Sequence, residues 1–216
     1  MIGTLSQPVV GSEYDARYYA WLARQGPRAH DLDWRLNHLL WRQRVLLRRY
    51  RPEGKRVLDV GCLDGVFTIR LQQLGAEAVG FDLSPAAIAQ AEKFRGNAAQ
   101  PSFTTVAPGP GQFDVVYCNE VLEHVQDDIN FVGELVAFLA PGGMLVGTTP
   151  VGRFFWDPDH KRSYDRATLT RVLGSWGSVK IRRFYKTPMR NLLPFRQSGS
   201  AVFIFEVRPP SLRGAR

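Results

Sequence analysis

Residues 56–83, RVLDVGCLDGVFTIRLQQLGAEAVGFDL, read as strand, glycine turn, helix and second strand, with an acid where the second strand ends. Val57–Val60 is a short apolar run holding Asp59, and Gly61 and Gly65 bracket the turn that follows. Without a Cβ at those two positions, backbone can come close to a ligand. Ile69, Leu71 and Leu74 give the helix an apolar face and Gly75 stops it. Ala78–Phe81 is the second strand, and Asp82 stands at its carboxyl end, where an acid in such a unit receives ribose hydroxyls. The unit suits a nucleoside. A dinucleotide is disfavoured, because the G-x-G-x-x-G fingerprint would need glycine where Leu63 and Val66 stand.

Outward from this unit, strands and helices keep alternating. Ser84 caps a helix that has Pro85 in its first turn, runs to Phe94 and is terminated by Gly96. A short third strand is predicted around Ser102–Val106, then a proline–glycine loop. Phe113–Cys118 is the fourth strand, a helix follows over 127–139 closed by Pro141-Gly142-Gly143, and Met144–Thr148 is the fifth strand. Val179–Tyr185 and Ala201–Val207 are candidates for strands six and seven, with a loop or short helix between them. Such alternation predicts an α/β fold, a parallel sheet with helices on both faces.

Four motifs in order carry a resemblance. D-V-G-C-L-D-G at 59–65 resembles motif I of the class I S-adenosylmethionine (SAM) methyltransferases, and F-D-L-S at 81–84 resembles their acidic ribose loop. FDVVYCNEVLEHV at 113–125 is similar to the fourth strand and following helix of the small-molecule, ubiquinone-methyltransferase-like branch, and L-A-P-G-G-M-L at 139–145 to the region after it. The matching segments span Val57 to Pro150. The resemblance implies a Rossmann-like seven-stranded sheet of order 3-2-1-4-5-7-6 with strand seven antiparallel. It further implies a helical lid over residues 1–52, a SAM-binding domain over 53–207 with substrate-side elements near its end, and a tail at 208–216. On the cofactor side it implies Asp59, Gly61, Cys62, Asp64, Gly65, Asp82, Leu83, Asn119, Glu120 and Val121. Asp59 and Asp64 would face the ammonium of SAM, Asp82 the ribose hydroxyls, and 119–121 the methionine half. The family's usual acid after strand three is absent, so Thr105, Val106 or Ala107 must contact adenine in another way.

At the start of the chain, Ser12 to about Arg24 reads as a helix broken by Gly26-Pro27. Asp31 or Asp33 opens a second, amphipathic helix whose apolar positions are Leu32, Leu36, Leu39, Leu40, Leu47 and Tyr50, ended by Pro52-Glu53-Gly54. Tyr14, Tyr18, Tyr19 and Trp21 are candidates to line a lid over cofactor and acceptor, with Tyr14 and Tyr18 on the substrate side.

A chain of 216 residues can bury a substantial core as one domain. It has no apolar run of membrane-spanning length, and its first ten residues lack the basic start and apolar centre of a signal peptide, so a cytoplasmic protein is expected. Cys62 and Cys118 make no disulfide framework and lack metal-site spacing. The net charge of +8 is divided unevenly. Residues 1–56 carry 11 basic and 5 acidic side chains, 57–150 carry 3 and 11, and 151–216 carry 14 and 4. The basic flanks suit an anionic small-molecule acceptor.

Attack by a hydroxyl needs a proton acceptor, and two histidines are placed for it. His160 lies in D-P-D-H-K-R after strand five and His124 in E-V-L-E-H-V after strand four. Trp156, Asp157, Asp159 and Arg162 join Tyr14 and Tyr18 as candidate acceptor contacts, the aromatic–acid edge suiting a sugar hydroxyl. Asp157, Asp159 and Glu120 could hold Mg²⁺, but no metal is expected. The expected activity is O-methylation of a saccharide, phenol or natural-product precursor by a monomer or homodimer. The rivals are N-methylation, RNA methylation on the basic flanks, and a non-catalytic SAM-binding partner protein. Nucleic acid is disfavoured, since strand four ends in N-E-V-L and not in the N-P-P-Y turn used for base amines.

Overall fold

The computed structural model describes residues 12–24, 26–152, 160–185 and 201–210. Its strands are β1 (Arg56–Val60), β2 (Glu77–Phe81), β3 (Ser102–Thr104), β4 (Phe113–Asn119), β5 (Leu139–Pro150), β6 (Ser178–Tyr185) and β7 (Ala201–Arg208). They form one seven-stranded sheet in the order β3-β2-β1-β4-β5-β7-β6. β1 and β2, β2 and β3, and β4 and β5 pair in parallel, while β7 runs antiparallel to both β5 and β6. The expected order and the antiparallel seventh strand are therefore what is found. The chain divides into two compact units, residues 9–109 and the part from residue 110 onward.

In the first unit the helices are α1 (Ser12–Arg24), α2 (Leu32–Asn37), α3 (Trp41–Arg49), α4 (Val66–Gln73) and α5 (Pro85–Arg95). The apolar spacing predicts a single helix over 32–50; the structure breaks it after Asn37. The His38 imidazole Nδ1 sits 2.7 Å from the Trp34 carbonyl and takes up a hydrogen bond the helix would otherwise continue. Leu40 turns extended, its N–H donating to the Gln43 side chain at 3.1 Å to begin α3. The break keeps Leu39 buried but leaves Leu40 exposed. Leu36 and Leu39 pack on Val66 and Ile69 of α4, with Leu32, Leu47, Phe94 and Phe103 around them. Each such side chain contributes about 1.5–3 kcal/mol when fully buried, enough to hold the short α2 in place.

The second unit carries α6 (Asp128–Ala137) and α7 (Arg166–Gly174). α6 is capped by the Asp127 carboxylate, which accepts from the Asn130 N–H at 3.2 Å. It presents Phe131, Val132 and Leu135 to the interior, as α7 presents Leu169, Val172 and Leu173. Gly133 is obligatory in α6, because a Cβ there would stand 2.4 Å from the Trp176 ring. The Trp176 indole N–H also donates to the Ile129 carbonyl at 2.8 Å. Pro141-Gly142-Gly143, expected to close the helix, instead lies inside β5. Phe113 pairs with Leu139 and Val115 already with Met144, so residues 140–143 bulge out of the ladder.

Candidate functional site

In the first unit the polar groups gather at the carboxyl ends of β1 and β2. After Val60 the chain turns at Gly61 (φ +70°), and the N–H groups of Gly61 and Cys62 donate to the Phe81 carbonyl at 2.8 and 3.2 Å. Leu63 is held at φ +49°, unusual for a side chain of its size. Its N–H donates to Asp82 Oδ2 at 2.9 Å, while Ser84 N–H donates to Asp82 Oδ1 at 2.9 Å. Asp82 thus staples the glycine turn to the end of β2, and each oxygen keeps acceptor capacity for a hydroxyl. Burial raises its carboxyl above the ordinary range despite those two N–H donors. At Gly65 (φ +75°) an added Cβ would lie 2.6 Å from the Phe103 ring and 2.8 Å from Ala91 Cβ, so only glycine admits α4 this close to its neighbours.

Three more acids surround this turn. Asp59, 2% exposed, accepts the Thr68 hydroxyl at 2.7 Å. Burial pushes its carboxyl up to about 7, the Thr68 bond acting against that and the neighbouring Asp82 adding to it. Asp64 is buried and ion-paired with Arg35 of α2. Asp15 of α1 accepts the Ser84 hydroxyl at 2.9 Å, and the nearby Tyr19 phenol is pushed up to about 12, first by burial and then by Asp64, Asp15 and Asp82. The Cys62 thiol packs beside Gly80 and burial pushes it up, so what Cys62 offers a ligand is backbone. Leu83 is half-buried next to Asp82. The side chains of Tyr14, Tyr18 and Trp21 lie outside the described residues. Asp15, Arg35 and Thr68 carry no signal in the sequence that marks them for the site. Arg35 looks like one more arginine on an amphipathic helix, and only the fold brings it to Asp64.

In the second unit, β4 ends at Asn119, which pairs in register with Thr148 of β5. Among the described residues, neither the amide oxygen nor the amide nitrogen of Asn119 has a hydrogen-bond partner, although both are buried, and the same holds for the Thr148 hydroxyl. Two unsatisfied polar side chains next to each other at a strand's carboxyl end await polar partners. Glu120 follows at φ +55° and Val121 is half-buried.

His124 lies in a short 3-10 turn, Leu122–His124, ahead of α6. His160 is brought against it: the two rings stand edge to face with centroids 4.7 Å apart. The approach is built by backbone, since Lys161 N–H donates to the Glu123 carbonyl at 2.8 Å. Arg162 then binds the Gln126 carbonyl and pairs with Asp128 at 2.6 Å. The buried Tyr164 hydroxyl donates to Asp128 at 2.8 Å with the Leu122 carbonyl at 3.3 Å. Its phenol is pushed far up by burial and by Asp128. Arg162, expected to touch an acceptor, is thus engaged in fastening residues 160–164 to the 3-10 turn. Glu123 is 2% exposed and accepts the Thr149 hydroxyl at 3.1 Å. Ligand atoms of Glu123, His124 and His160 all lie within 4.8 Å of one another. Trp156, Asp157 and Asp159 fall outside the described residues.

No described helix is long and apolar enough to cross a membrane. Residues 30–190 match a family described as Methyltransferase domain. Over 104 residues the chain is 36% identical to the ubiquinone biosynthesis O-methyltransferase of Albidiferax ferrireducens, a match covering 44% of this chain and 41% of that protein. The matched stretch is therefore less than half the length of that relative. In fold the chain is similar to a SAM-dependent methyltransferase from Archaeoglobus fulgidus, with a TM-score of 0.63 and 19% identity over 88% of this chain and 99% of that one. It is also similar to magnesium protoporphyrin IX methyltransferase from Synechocystis with bound SAM, with a TM-score of 0.56 and 22% identity over 77% and 76% of the two chains.

Proposed function

The chain belongs to the methyltransferase domain family, and from that premise we propose that it transfers a methyl group from SAM to the hydroxyl of a small molecule. Asp82 takes the ribose hydroxyls, both of its oxygens being fixed by backbone N–H donors and still able to accept. The turn 61–65 passes the amino-acid end of SAM, with Asp59 and Asp64 toward its ammonium. Asn119, Glu120 and Val121 serve the methionine half. α1 and α2 act as a lid, since Asp15 and Arg35 already reach Ser84 and Asp64. The acceptor chemistry rests on one observation, the juxtaposition of His124 and His160.

In the transfer the hydroxyl oxygen attacks the methyl carbon, an O–C bond forms, and the C–S bonding pair stays on sulfur as the neutral thioether. The hydroxyl proton passes to the imidazole of His160, with His124 beside it. Because this displacement spreads charge and needs no covalent enzyme intermediate, alignment and exclusion of water supply most of the rate. The similarity to a ubiquinone O-methyltransferase supports an oxygen acceptor, and the basic residues at 151–216 favour one that carries a carboxylate or phosphate.

Thermal unfolding of the purified protein with and without SAM tests the core of this reading. SAM should raise the Tm, because a ligand stabilises the state it binds, and Asp82→Ala should remove most of that rise. A folded wild type that shows no shift at saturating SAM refutes it. For the acceptor half, His160→Ala should lower turnover about 10²–10⁴-fold, the contribution of a positioned base, while leaving the SAM response intact.

A further inference from the structure

We propose that Arg166 and Arg183 form an oxyanion-binding subsite for the acceptor, taking a carboxylate or phosphate that the acceptor carries away from its reacting hydroxyl. The two arginines line a cavity of about 360 Å³ together with Val151, Tyr164, Asp165 and Phe203. β5 ends at Pro150, β7 begins at Ala201 and β6 ends at Tyr185, so the cavity sits at the carboxyl end of β5, the end at which Asn119 of β4 also lies. Its volume is at the low end for a ligand site, enough for an anionic group with one ring or a short chain, and Val151 and Phe203 give it an apolar wall.

The charges are arranged for an anion. One nitrogen of the Arg166 guanidinium donates to the Ile181 carbonyl at 2.9 Å, which fixes the group and leaves its other N–H donors for a ligand. The Arg183 guanidinium lies over the Tyr185 ring, 5.0 Å from the centroid, a stacking that orients it without using its donors. The Asp165 carboxylate on the same wall is taken up in capping α7, accepting from the Thr168 N–H and hydroxyl at 2.7 Å each. Two cations against one anion leave the cavity electropositive, and the planar guanidinium fork matches the paired oxygens of a carboxylate or phosphate.

The role of this cavity rests on the transfer reading above; its affinity for an anion does not. Arg183 stands opposite Phe203, and Phe203 opposite Thr149, so the three share one face of the sheet. Two strand spacings put Arg183 roughly 10 Å from Thr149, whose hydroxyl donates to Glu123 beside His124. A second path agrees: Tyr164, on the cavity wall, is four residues from His160, a stretch of at most about 14 Å when extended. The acceptor class is therefore a hydroxyl compound whose oxyanion stands about 10–14 Å from the reacting oxygen.

The test uses full-length protein and two sets of probes. Benzoate and phenyl phosphate, the two anion chemistries, should bind at least about tenfold more tightly than neutral benzamide, the tighter of the two naming the preferred anion. Arg166→Gln and Arg183→Gln should each remove that advantage. Arg183→Lys, which keeps the charge and loses the fork, should restore part of it. The exposed Arg182 points to the other face of β6, so Arg182→Gln should bind as wild type. For transfer from labelled SAM, 4′-hydroxybiphenyl-4-carboxylate and the corresponding phosphate place hydroxyl and anion at about the required separation. Each should have a KM at least about tenfold below that of the carboxamide, and Arg183→Gln should erase the difference while changing kcat less than about threefold, since the subsite does not touch the reacting atoms. The rise in Tm with SAM, measured on the same samples, shows that each variant is folded. A wild type that responds to SAM but binds the anions no better than benzamide, or an anion preference that survives both glutamine variants, overturns the subsite and leaves the methyltransferase reading standing. Anion binding lost in both variants, but with no transfer to any biphenyl, overturns its role toward the acceptor. Anion binding without any SAM response removes the transfer reading itself.

Discussion

Asp59→Asn gives the sharpest pH-dependent prediction. Asp59 is 2% exposed on β1 and its carboxyl is pushed up to about 7, chiefly by burial. An unfolded chain ionises this group near its ordinary value of 3.8. Between about pH 4 and 7 the folded protein therefore holds a proton that the unfolded chain has released, and stability falls as pH rises. A gap of one in pKa corresponds to about 1.4 kcal/mol, so the distance from 3.8 to about 7 sets a ceiling of about 4 kcal/mol. Above pH 7 both states are ionised and the loss is complete. Asparagine can still accept the Thr68 hydroxyl but does not titrate. Urea denaturation of wild type and Asp59→Asn at closely spaced pH values between about 4.5 and 8 isolates the effect, since every other acid is common to both. The stability of the variant relative to wild type should rise by about 2–4 kcal/mol across that range and then level off. SAM should flatten the wild-type slope if its ammonium favours the ionised carboxylate. Parallel stability curves for the two proteins would refute the argument and show that Asp59 is ionised throughout.

Gly65→Ala should cost about 2–4 kcal/mol, from left-handed backbone strain and overpacking together, because its φ is +75° and Phe103 and Ala91 fill the space a Cβ needs. Gly142→Ala shares the positive φ but meets nothing within 4 Å, so it should cost about 1–2 kcal/mol; equal losses in urea denaturation would remove Phe103 and Ala91 from the explanation. Tyr164→Phe deletes the hydroxyl that binds Asp128 at 2.8 Å and should lower stability in urea denaturation by about 1–3 kcal/mol.

Most of the sheet can be read from residues because its signals are local. The glycine turn, the serine–proline start of α5 and the apolar runs of β1, β2 and β4 each carry their own punctuation. Where sequence pattern and structure part, a second force is at work. Leu32 to Tyr50 keeps a helical apolar pattern, yet the His38 ring satisfies the Trp34 carbonyl and stops the helix there. Pro141-Gly142-Gly143 has the composition of a helix terminator, but pairing of Leu139 with Phe113 draws it into a bulge of β5. α7 is absent from the sequence reading, although Asp165 and Thr168 form a capping box ahead of Leu169, Val172 and Leu173 at helical spacing. At the site, Asp59 and Asp82 are legible because strand ends are visible in sequence. His160 is legible as a residue but not as a neighbour of Glu123, because that proximity depends on one tertiary hydrogen bond from Lys161.

The distribution of buried polar groups says what the carboxyl ends of these strands are for. Asp59, Asp64, Thr148, Thr149 and Glu123 are nearly inaccessible, and the amide atoms of Asn119 are buried without partners among the described residues. Burying an unsatisfied amide or hydroxyl costs roughly 1–3 kcal/mol, and more for a charge. A chain under selection for stability alone would place apolar side chains there, as it does in the middle of β4 with Val115, Val116 and Tyr117. The basic residues lie mostly outside 57–150, in the stretches that flank this acidic centre. An acidic excess in the central segment suits cationic ligands. On the proposed function, the sulfonium cofactor with its ammonium would meet that requirement at the carboxyl ends of β1 and β2. Binding of SAM would therefore offset part of what it costs to bury these groups, so SAM should raise the Tm of the wild-type protein, and Asp82→Ala should remove most of that increment.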